Sequence, residues 1–400
     1  MSEGTTLPRD HDGPATPGDD LGEDADGLLA LGTEARKRGT LRESQDTLQQ
    51  AIDCARTRKD IVLEADALLE LALTLEVQGR LDQAEERVLE ACELNRAAQN
   101  PGRLAANLSL LGLLRQVQGE YAEAEQLHQE ALRYHREAGD AAGEAVDHGN
   151  LGNLYRSRGE LDRAEEALRE SLCLYRALGD DVGVANQLDS LARLLLARGL
   201  QATAGEMLEE ALRIDERLGR PEGAAMHHSV LGEMHLRQGA PAEAIASFSR
   251  ALELQTRVGH RRNQAGALAG LAAAYRGAGM LPQAEEAHGR ALALFEEVAD
   301  SAGAAWQAAA VGDLHYQRGA LPEAERMYGT AMRHSSAAAD RQGQAAALAS
   351  LGDALAAQGR PYEAALHWGA AASAFRDLGR EPEAARLELL VRQALGQRTT

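Results

Sequence analysis

The chain has 400 residues and a formal net charge of −20, because 62 acidic residues outnumber 42 basic residues. This acidic balance argues against binding to nucleic-acid phosphates or to anionic membrane surfaces, which both require basic side chains. No apolar run is long enough to span a bilayer, and the three cysteines lie far apart without a C-x-x-C motif, which fits a reducing cytoplasm. One hydrophobic core rarely serves so long a chain, so two domains or a repeat array are expected.

The first segment in chain order, residues 1–24, is rich in Gly, Pro, Asp and Thr. This composition predicts a disordered acidic tail. The segment has no apolar stretch of the kind found in secretory signals, so secretion is not expected. The abundance of Ala, Arg and Gly in the whole chain indicates a GC-rich, bacterial genome.

From residue 25 onward the sequence repeats with a period of 40 residues. One column carries alanine from Ala25 to Ala385, and another carries glycine nine times. The glycine column comprises Gly39, Gly79, Gly119, Gly159, Gly199, Gly239, Gly279, Gly319 and Gly359. A fixed period of this kind is the signature of a solenoid. We therefore predict nine units over residues 25–384.

Within each unit the apolar spacing is helical, as the fourth unit illustrates. Ala145, His148, Leu151, Gly152 and Tyr155 share one face of a first helix. Gly159 then predicts a short turn. The apolar face of a second helix comprises Leu161, Ala164, Leu168, Ser171, Leu172 and Tyr175.

The links between units carry their own signals. Gly179 is predicted to end the second helix in left-handed geometry, and Asp180 is predicted to cap the next helix. Gly152 and Ala164 are small, which lets the two helices of the unit approach closely. After the ninth unit, residues 385–400 restart the pattern, but Glu388 and Arg392 replace apolar or small residues, which predicts a capping helix and a tail.

These positions resemble the tetratricopeptide repeat (TPR) signature. The residues that carry the resemblance in the fourth unit are His148, Leu151, Gly152, Tyr155, Gly159, Ala164, Leu168 and Ser171. The period of 40 is similar to that of kinesin light chains, Pins-type adaptors, and bacterial Rap-type and MalT-type solenoids. The resemblance implies an all-α, right-handed superhelical α-solenoid of about nine helix-turn-helix repeats with a C-terminal capping helix. It also implies that a peptide or partner segment binds along the first helices, which line a concave groove.

Twelve histidines raise the question of a metal or catalytic site. Pairs of them recur in packing columns, such as His148 with His228 and His128 with His288, where other repeats carry Leu or an aromatic residue. We therefore interpret these histidines as packing residues. No H-E-x-x-H or G-x-S-x-G motif is present. The sequence predicts no metal, no cofactor and no catalytic residue.

The groove positions vary along the array. The middle units are polar and carry both charges, the seventh is nearly bare around Gly266 and Gly270, and the eighth presents a Trp and a Tyr, which are common binding anchors. The predicted partner-binding residues are Asn150, Asn153, Arg156, Asn186, Asp189, Arg193, Glu233, Arg237, Trp306 and Tyr316. Mixed charge indicates a partner segment with both signs, although Trp306 has an alternative role in packing on the next repeat.

Three functions follow from this pattern. The first is a cytoplasmic, non-enzymatic adaptor that binds a protein or peptide, and neither nucleic acid, membrane nor metal, in the concave groove. The second is a regulator that senses a peptide, as the Rap-type resemblance implies, although those proteins carry an N-terminal helical bundle that residues 1–24 are too short to supply. The third is an enzyme, which lacks support because no catalytic constellation is found.

Overall fold

The fold is described from a computed structural model, which covers residues 22–396 of the chain. In this range the chain forms nineteen α-helices and no β-strand, which confirms the all-α prediction. The predicted tail at residues 1–24 lies outside the described residues except for its end, where the first helix begins at Gly22. None of the described helices has both the length and the apolar character needed to cross a membrane.

The helices belong to two compact units, Met1–Gln187 and Leu188–Thr400. The helices of the first unit are α1 (Gly22–Lys37), α2 (Leu41–Arg58), α3 (Ile61–Val77), α4 (Leu81–Ala97), α5 (Pro101–Val117), α6 (Tyr121–Ala138), α7 (Ala141–Ser157) and α8 (Leu161–Leu178). The following helix, α9 (Asp181–Ala197), contains the boundary between the units.

The second unit continues the same pattern. Its further helices are α10 (Gln201–Leu218), α11 (Pro221–Arg237), α12 (Pro241–Val258), α13 (Arg261–Gly277), α14 (Leu281–Glu297), α15 (Ser301–Gln317), α16 (Leu321–Ala337), α17 (Arg341–Ala357), α18 (Pro361–Asp377) and α19 (Glu381–Ala394). Ala145, taken from the sequence as the first position of its unit, is the fifth residue of α7. The repeat boundaries predicted from the sequence therefore lie about one helical turn after the start of each first helix.

Short turns join the two helices of each pair, as predicted. Gly159 has a φ of +76° between α7 and α8, and all nine members of its column have positive φ. A residue that has a Cβ atom adopts this left-handed backbone conformation only at a cost in free energy, which explains why the column is glycine. The 40-residue period of glycine in the sequence therefore reflects the turn that recurs once in every helix pair.

The links between pairs also have the predicted caps. Gly179 has a φ of +69° after α8, and the Asp180 carboxylate accepts a hydrogen bond from the Gly183 backbone N–H at 3.0 Å. Asp140 makes the same bond to Gly143 at 3.0 Å. These bonds satisfy a backbone donor that the first turn of a helix leaves unpaired.

Small residues allow close packing within each pair. A Cβ atom added at Gly152 would lie 2.5 Å from Leu168 Cγ and 3.2 Å from the Ala164 carbonyl oxygen. The prediction of close approach is thus confirmed, and the structure adds that the Leu168 side chain fills the space. At the end of the array α19 begins at Glu381, four residues before the predicted Ala385, and it buries Ala384 and Leu387.

Candidate functional site

The predicted binding residues fall into both compact units, and each unit is described on its own. In the first unit, Asn150, Asn153 and Arg156 are half-buried on α7, and Asn186 is exposed on α9. In the second unit, Glu233 and Arg237 are exposed on α11 and Arg193 is half-buried on α9. We call the exposed side of the odd-numbered helices the first-helix surface.

The prediction that Asp189 contacts a partner is wrong, because this residue is buried and does not lie on the first-helix surface. Its Oδ1 accepts a hydrogen bond from His227 Nδ1 at 3.1 Å, and its Oδ2 accepts one from Arg193 Nε at 2.7 Å. Burial alone would raise the pKa of this carboxyl group, but the hydrogen bond from His227 and the charge of Arg193 outweigh burial and lower it. Asp189 therefore joins α9 to α11 within the second unit.

His227 lies between two buried carboxylates. Its Nε2 is 3.1 Å from Asp215 Oδ2, on the side opposite Asp189. Asp215 is fully buried and also pairs with Arg220, with 2.9 Å between Oδ1 and Nη1. We call Asp189, His227 and Asp215 the second-unit polar network. His227 is hydrogen-bonded to Asp189, whereas its Nε2 lies at ion-pair distance from Asp215 without forming a hydrogen bond. Buried charges are costly unless they are paired, so removal of His227 affects both carboxylates.

The first unit contains a matching set. The Asp147 carboxylate, which is fully buried, accepts a hydrogen bond from Ser109 Oγ and lies 2.7 Å from His135 Nδ1. These three residues, the first-unit polar network, lie 80 positions before Asp189, His227 and Asp215. The same three columns thus carry Ser–Asp–His in one unit and Asp–His–Asp in the other, and the histidine and aspartate exchange places.

We expect the pKa values of His135 and His128 to be shifted in opposite directions from that of an ordinary histidine. The hydrogen bond with Asp147 raises the pKa of His135 in spite of burial, whereas burial lowers the pKa of His128 to about 4. The His135–Asp147 pair therefore stabilises the fold below the ordinary histidine pKa of about 6.5, and this contribution is lost as the pH rises through the folded-state pKa. NMR titration of the imidazole signals measures both values. An unchanged His135 pKa in Asp147→Asn would contradict the assignment.

The column histidines pack as predicted. His128 is fully buried, and a Cβ atom at Gly112 would lie 2.7 Å from its ring. His288 is buried in the same column, with its Nδ1 2.7 Å from Gln307 Oε1. Across residues 22–396, no group of three or more His, Cys, Asp or Glu side chains is arranged to hold a metal ion.

The bare first helix of the seventh predicted unit, α13, offers less room than expected. A Cβ atom at Gly270 would lie 2.3 Å from Phe248 Cε1, so the Phe248 ring already fills that space. Gly266 is open, with no atom within 4 Å of such a Cβ. The glycines of α13 therefore serve two purposes: Gly270 admits a core aromatic ring, and Gly266 leaves a bare surface.

A cavity of about 510 Å³ opens on the first-helix surface of the second unit, between α15, α16 and α17. Trp306 lines it together with residues of α17 in the next repeat, and 74 % of Trp306 is exposed, so most of the residue is open to solvent rather than packed on that repeat. Alanines form much of the wall, and Ser335, Asp313 and Asp340 supply polar atoms. Tyr316 is 39 % exposed but does not line this cavity.

Asp313 was missed from the sequence, although a signal was present. It occupies the same repeat position as Asn153, Arg193 and Glu233, which were all predicted. Ser335 and Asp340 were missed because they belong to the second helix and to the link, which the family resemblance does not assign to the groove. The cavity is therefore lined both by residues of the first helices and by residues of the second helix and the link.

Helix pairs that recur every 40 residues, with glycine turns and small residues at the helix contacts, define an α-helical repeat protein. The model described as a MalT-like TPR region matches residues 58–218, and the model described as a tetratricopeptide repeat matches residues 223–297. The chain is a tetratricopeptide-repeat protein. The cavity at Trp306 lies beyond the matched residues, where the same helix pairs continue.

Solved structures with a similar fold share little sequence with the chain. One is a signal-transduction ATPase of the STAND class with a tetratricopeptide repeat sensor from Pyrococcus horikoshii, with 16% identity and a TM-score of 0.58, covering 88% of this chain and 55% of that one. The chain thus spans about half the length of that protein. No curated relative matches the sequence significantly.

Two further structures are a gene regulator and a quorum sensor. The Rap conjugation gene regulator of plasmid pLS20, in complex with the Phr* peptide, has 16% identity and a TM-score of 0.56, covering 72% of this chain and 81% of that chain. The quorum sensor NprR from B. thuringiensis, in its apo form, has 15% identity and a TM-score of 0.50, and the match covers 94% of this chain and 99% of that chain. These likenesses confirm the fold and the resemblance to Rap-type solenoids.

Proposed function

We propose that this chain is a cytoplasmic, non-enzymatic adaptor that binds an extended peptide or a segment of a partner protein on its first-helix surface. The observation that carries the proposal is Trp306, a large aromatic side chain that is 74 % exposed beside a cavity of about 510 Å³. Exposed Trp side chains next to a cavity are typical anchors of protein interfaces. The proposal includes no catalytic step, metal or cofactor, and the acidic charge disfavours a nucleic-acid partner.

The fold supports this proposal physically. The first helices are held by packed pairs and capped links, so the surface is formed before a partner arrives, and little ordering entropy is lost on binding. The polar residues of the first unit, Asn150, Asn153, Arg156 and Asn186, are a second proposed contact surface. Within the second unit, Arg193, Glu233, Arg237 and Tyr316 are further proposed contacts on the first-helix surface.

A randomised peptide library displayed on phage tests the proposal. We expect panning on the wild-type protein to select clones whose binding falls about tenfold or more in Trp306→Ala, as for an interface anchor. Tyr362→Ala is the matched control, because Tyr362 is an aromatic residue that is 72 % exposed on α18 and does not line the cavity. Circular dichroism establishes that both variants keep their helices. Equal binding of all selected clones to both variants would refute the site.

A peptide-sensing regulator is the second candidate. It is favoured by the Rap regulator of pLS20, which has a similar fold and was solved in complex with the Phr* peptide. Hydrogen exchange with a selected peptide separates the two candidates. An adaptor is expected to gain protection only in the helices that carry the proposed contact residues, whereas a sensor is expected to change protection also in helices that do not contact the peptide.

A further inference from the structure

The cavity exists because one repeat carries small residues where the preceding repeat carries large ones. Ser335 and Ala347 occupy the columns that hold Phe295 and Gln307. In the earlier repeat Phe295 packs against Gly303, and Gln307 is buried. The change to serine and alanine leaves that volume open, and the resulting space of about 510 Å³ is within the range of ligand sites.

A buried polar residue, Ser335, lines this space. Ser335 is only 2 % exposed and lines the cavity, yet its hydroxyl makes no hydrogen bond to another residue of the described range 22–396. A hydroxyl group both donates and accepts hydrogen bonds, so that of Ser335 can pair with a polar group bound in the cavity. The cavity therefore contains a polar atom that a bound group can pair with.

The charged groups of the lining are all acidic. They are Asp313 and Asp340, and no Lys, Arg or His side chain lines the cavity. Asp313 Oδ1 accepts a hydrogen bond from the Tyr328 hydroxyl at 2.7 Å, and Asp340 Oδ1 accepts one from the Gly343 backbone N–H at 2.9 Å. Neither carboxylate has an ion-pair partner among the described residues. Each carboxylate therefore has a second oxygen, Oδ2, that no hydrogen bond to a side chain of residues 22–396 occupies.

The exposed indole adds an aromatic face beside these carboxylates. Trp306 lines the same cavity, and within the described part of the chain no Arg or Lys side chain stacks on its ring. The electron-rich face of an indole attracts cations, and Trp is the strongest of the three aromatic side chains in this respect. An indole, two carboxylates and a hydroxyl therefore line one cavity.

We propose that the cavity binds an arginine side chain of the peptide or partner segment. A guanidinium group is planar, stacks on aromatic rings and donates several hydrogen bonds to carboxylates, whereas an ammonium group is a compact point charge. The net charge of −20 also favours the approach of a cationic segment. This inference rests on the proposed function and specifies the chemistry of the group that the Trp306 site receives.

The two tryptophans of the chain allow a direct test. Trp306 is exposed and Trp368 is 6 % exposed, so 5-fluorotryptophan labelling of the full chain gives a reporter and an internal reference for ¹⁹F NMR. The probes are the blocked tripeptides acetyl-Gly-Arg-Gly-amide, acetyl-Gly-Lys-Gly-amide and acetyl-Gly-citrulline-Gly-amide. We expect the arginine peptide to shift the Trp306 signal saturably, at about tenfold higher affinity than citrulline, its neutral isostere. Lysine is expected to lie between them.

Two variants separate the charge from the cavity. Asp313→Asn is expected to weaken the arginine peptide about fivefold to tenfold and to leave the citrulline peptide unchanged. Ser335→Phe reproduces the Phe295–Gly303 contact at Gly343, fills the cavity and is expected to abolish the Trp306 response to all three peptides. Glu363→Gln is the matched charge control, since Glu363 lies on α18 outside the cavity.

The outcomes distinguish this inference from the proposed function. Equal affinities for arginine and citrulline peptides, no response to any of the three, or no effect of Asp313→Asn would each overturn the arginine site. The proposed function survives these results if library clones still depend on Trp306. It fails together with the inference only if no selected clone depends on that residue.

Discussion

Replacing His227 with alanine is expected to lower the free energy of unfolding of the second unit by about 3–5 kcal/mol. The reason is not the loss of the imidazole itself. The change leaves Asp189 and Asp215 buried at 5 % and 0 % exposure without the group that lies between them. Urea unfolding followed by circular dichroism measures the loss, and hydrogen exchange localises it to α9–α11.

The adjacent residue provides the control for this prediction. His228 is half-buried, and burial lowers its pKa, so it is a neutral histidine without a buried carboxylate at its side. His228→Ala is expected to cost about 1 kcal/mol, as for an average substitution. Similar losses in the two variants would show that the second-unit polar network has no special role in stability.

The first unit supplies a design that should restore the stability. The substitutions Asp189→Ser, Asp215→His, Arg220→Asp and His227→Asp copy residues Ser109, His135, Asp140 and Asp147 into the matching columns. We expect this fourfold variant to be within about 2 kcal/mol of the wild type, and we expect each network substitution alone to be strongly destabilising. A fourfold variant as unstable as the sum of its parts would contradict the equivalence of the two networks.

Two glycines of α13 are expected to respond to alanine with opposite signs. Gly270→Ala is expected to destabilise the second unit by about 1–3 kcal/mol, because the new Cβ would lie 2.3 Å from the buried Phe248 ring. Gly266→Ala is expected to stabilise it by up to about 1 kcal/mol, because the site is open and alanine is the better helix former. Thermal and urea unfolding of both variants check the signs.

A second substitution identifies the cause. Phe248→Leu in the Gly270→Ala background should recover most of the loss, because leucine is shorter than the ring. One repeat earlier the chain already pairs Leu208 with Val230 at the matching positions, and both belong to the same core cluster. Failure of this rescue would place the cost of Gly270→Ala somewhere other than the contact with Phe248.

The sequence predicted the parts of the fold that every repeat shares. The glycine column fixed the turns because left-handed backbone is needed at Gly159 and its equivalents, and Asp180 fixed a cap because its carboxylate bonds the nearby Gly183 N–H. These causes act within a few residues of the chain. Any single repeat therefore reveals them, and nine copies make the pattern plain.

The parts that differ between repeats could not be predicted in the same way. Asp189 had the spacing of a surface residue, and its burial depends on His227, 38 residues later. The Gly270 position seemed free because its occupant, Phe248, lies on another helix. Comparison of the columns 80 residues apart would have revealed the exchanged histidine and aspartate, but not that both are buried.

The exchanged histidine and aspartate also disfavour two wrong helix pairings during folding. An array of similar helix pairs risks misfolding when one pair docks on a pair that is not next to it in the chain. Docking α7 on α10 would place Asp147 against Asp215, and docking α11 on α6 would place His227 against His135. Both arrangements bring like groups together at buried positions, so both are disfavoured relative to the observed order. Because histidine and aspartate are exchanged between the pairs His135–Asp147 and Asp215–His227, a helix pair is disfavoured from docking on one that is two repeats away in the chain.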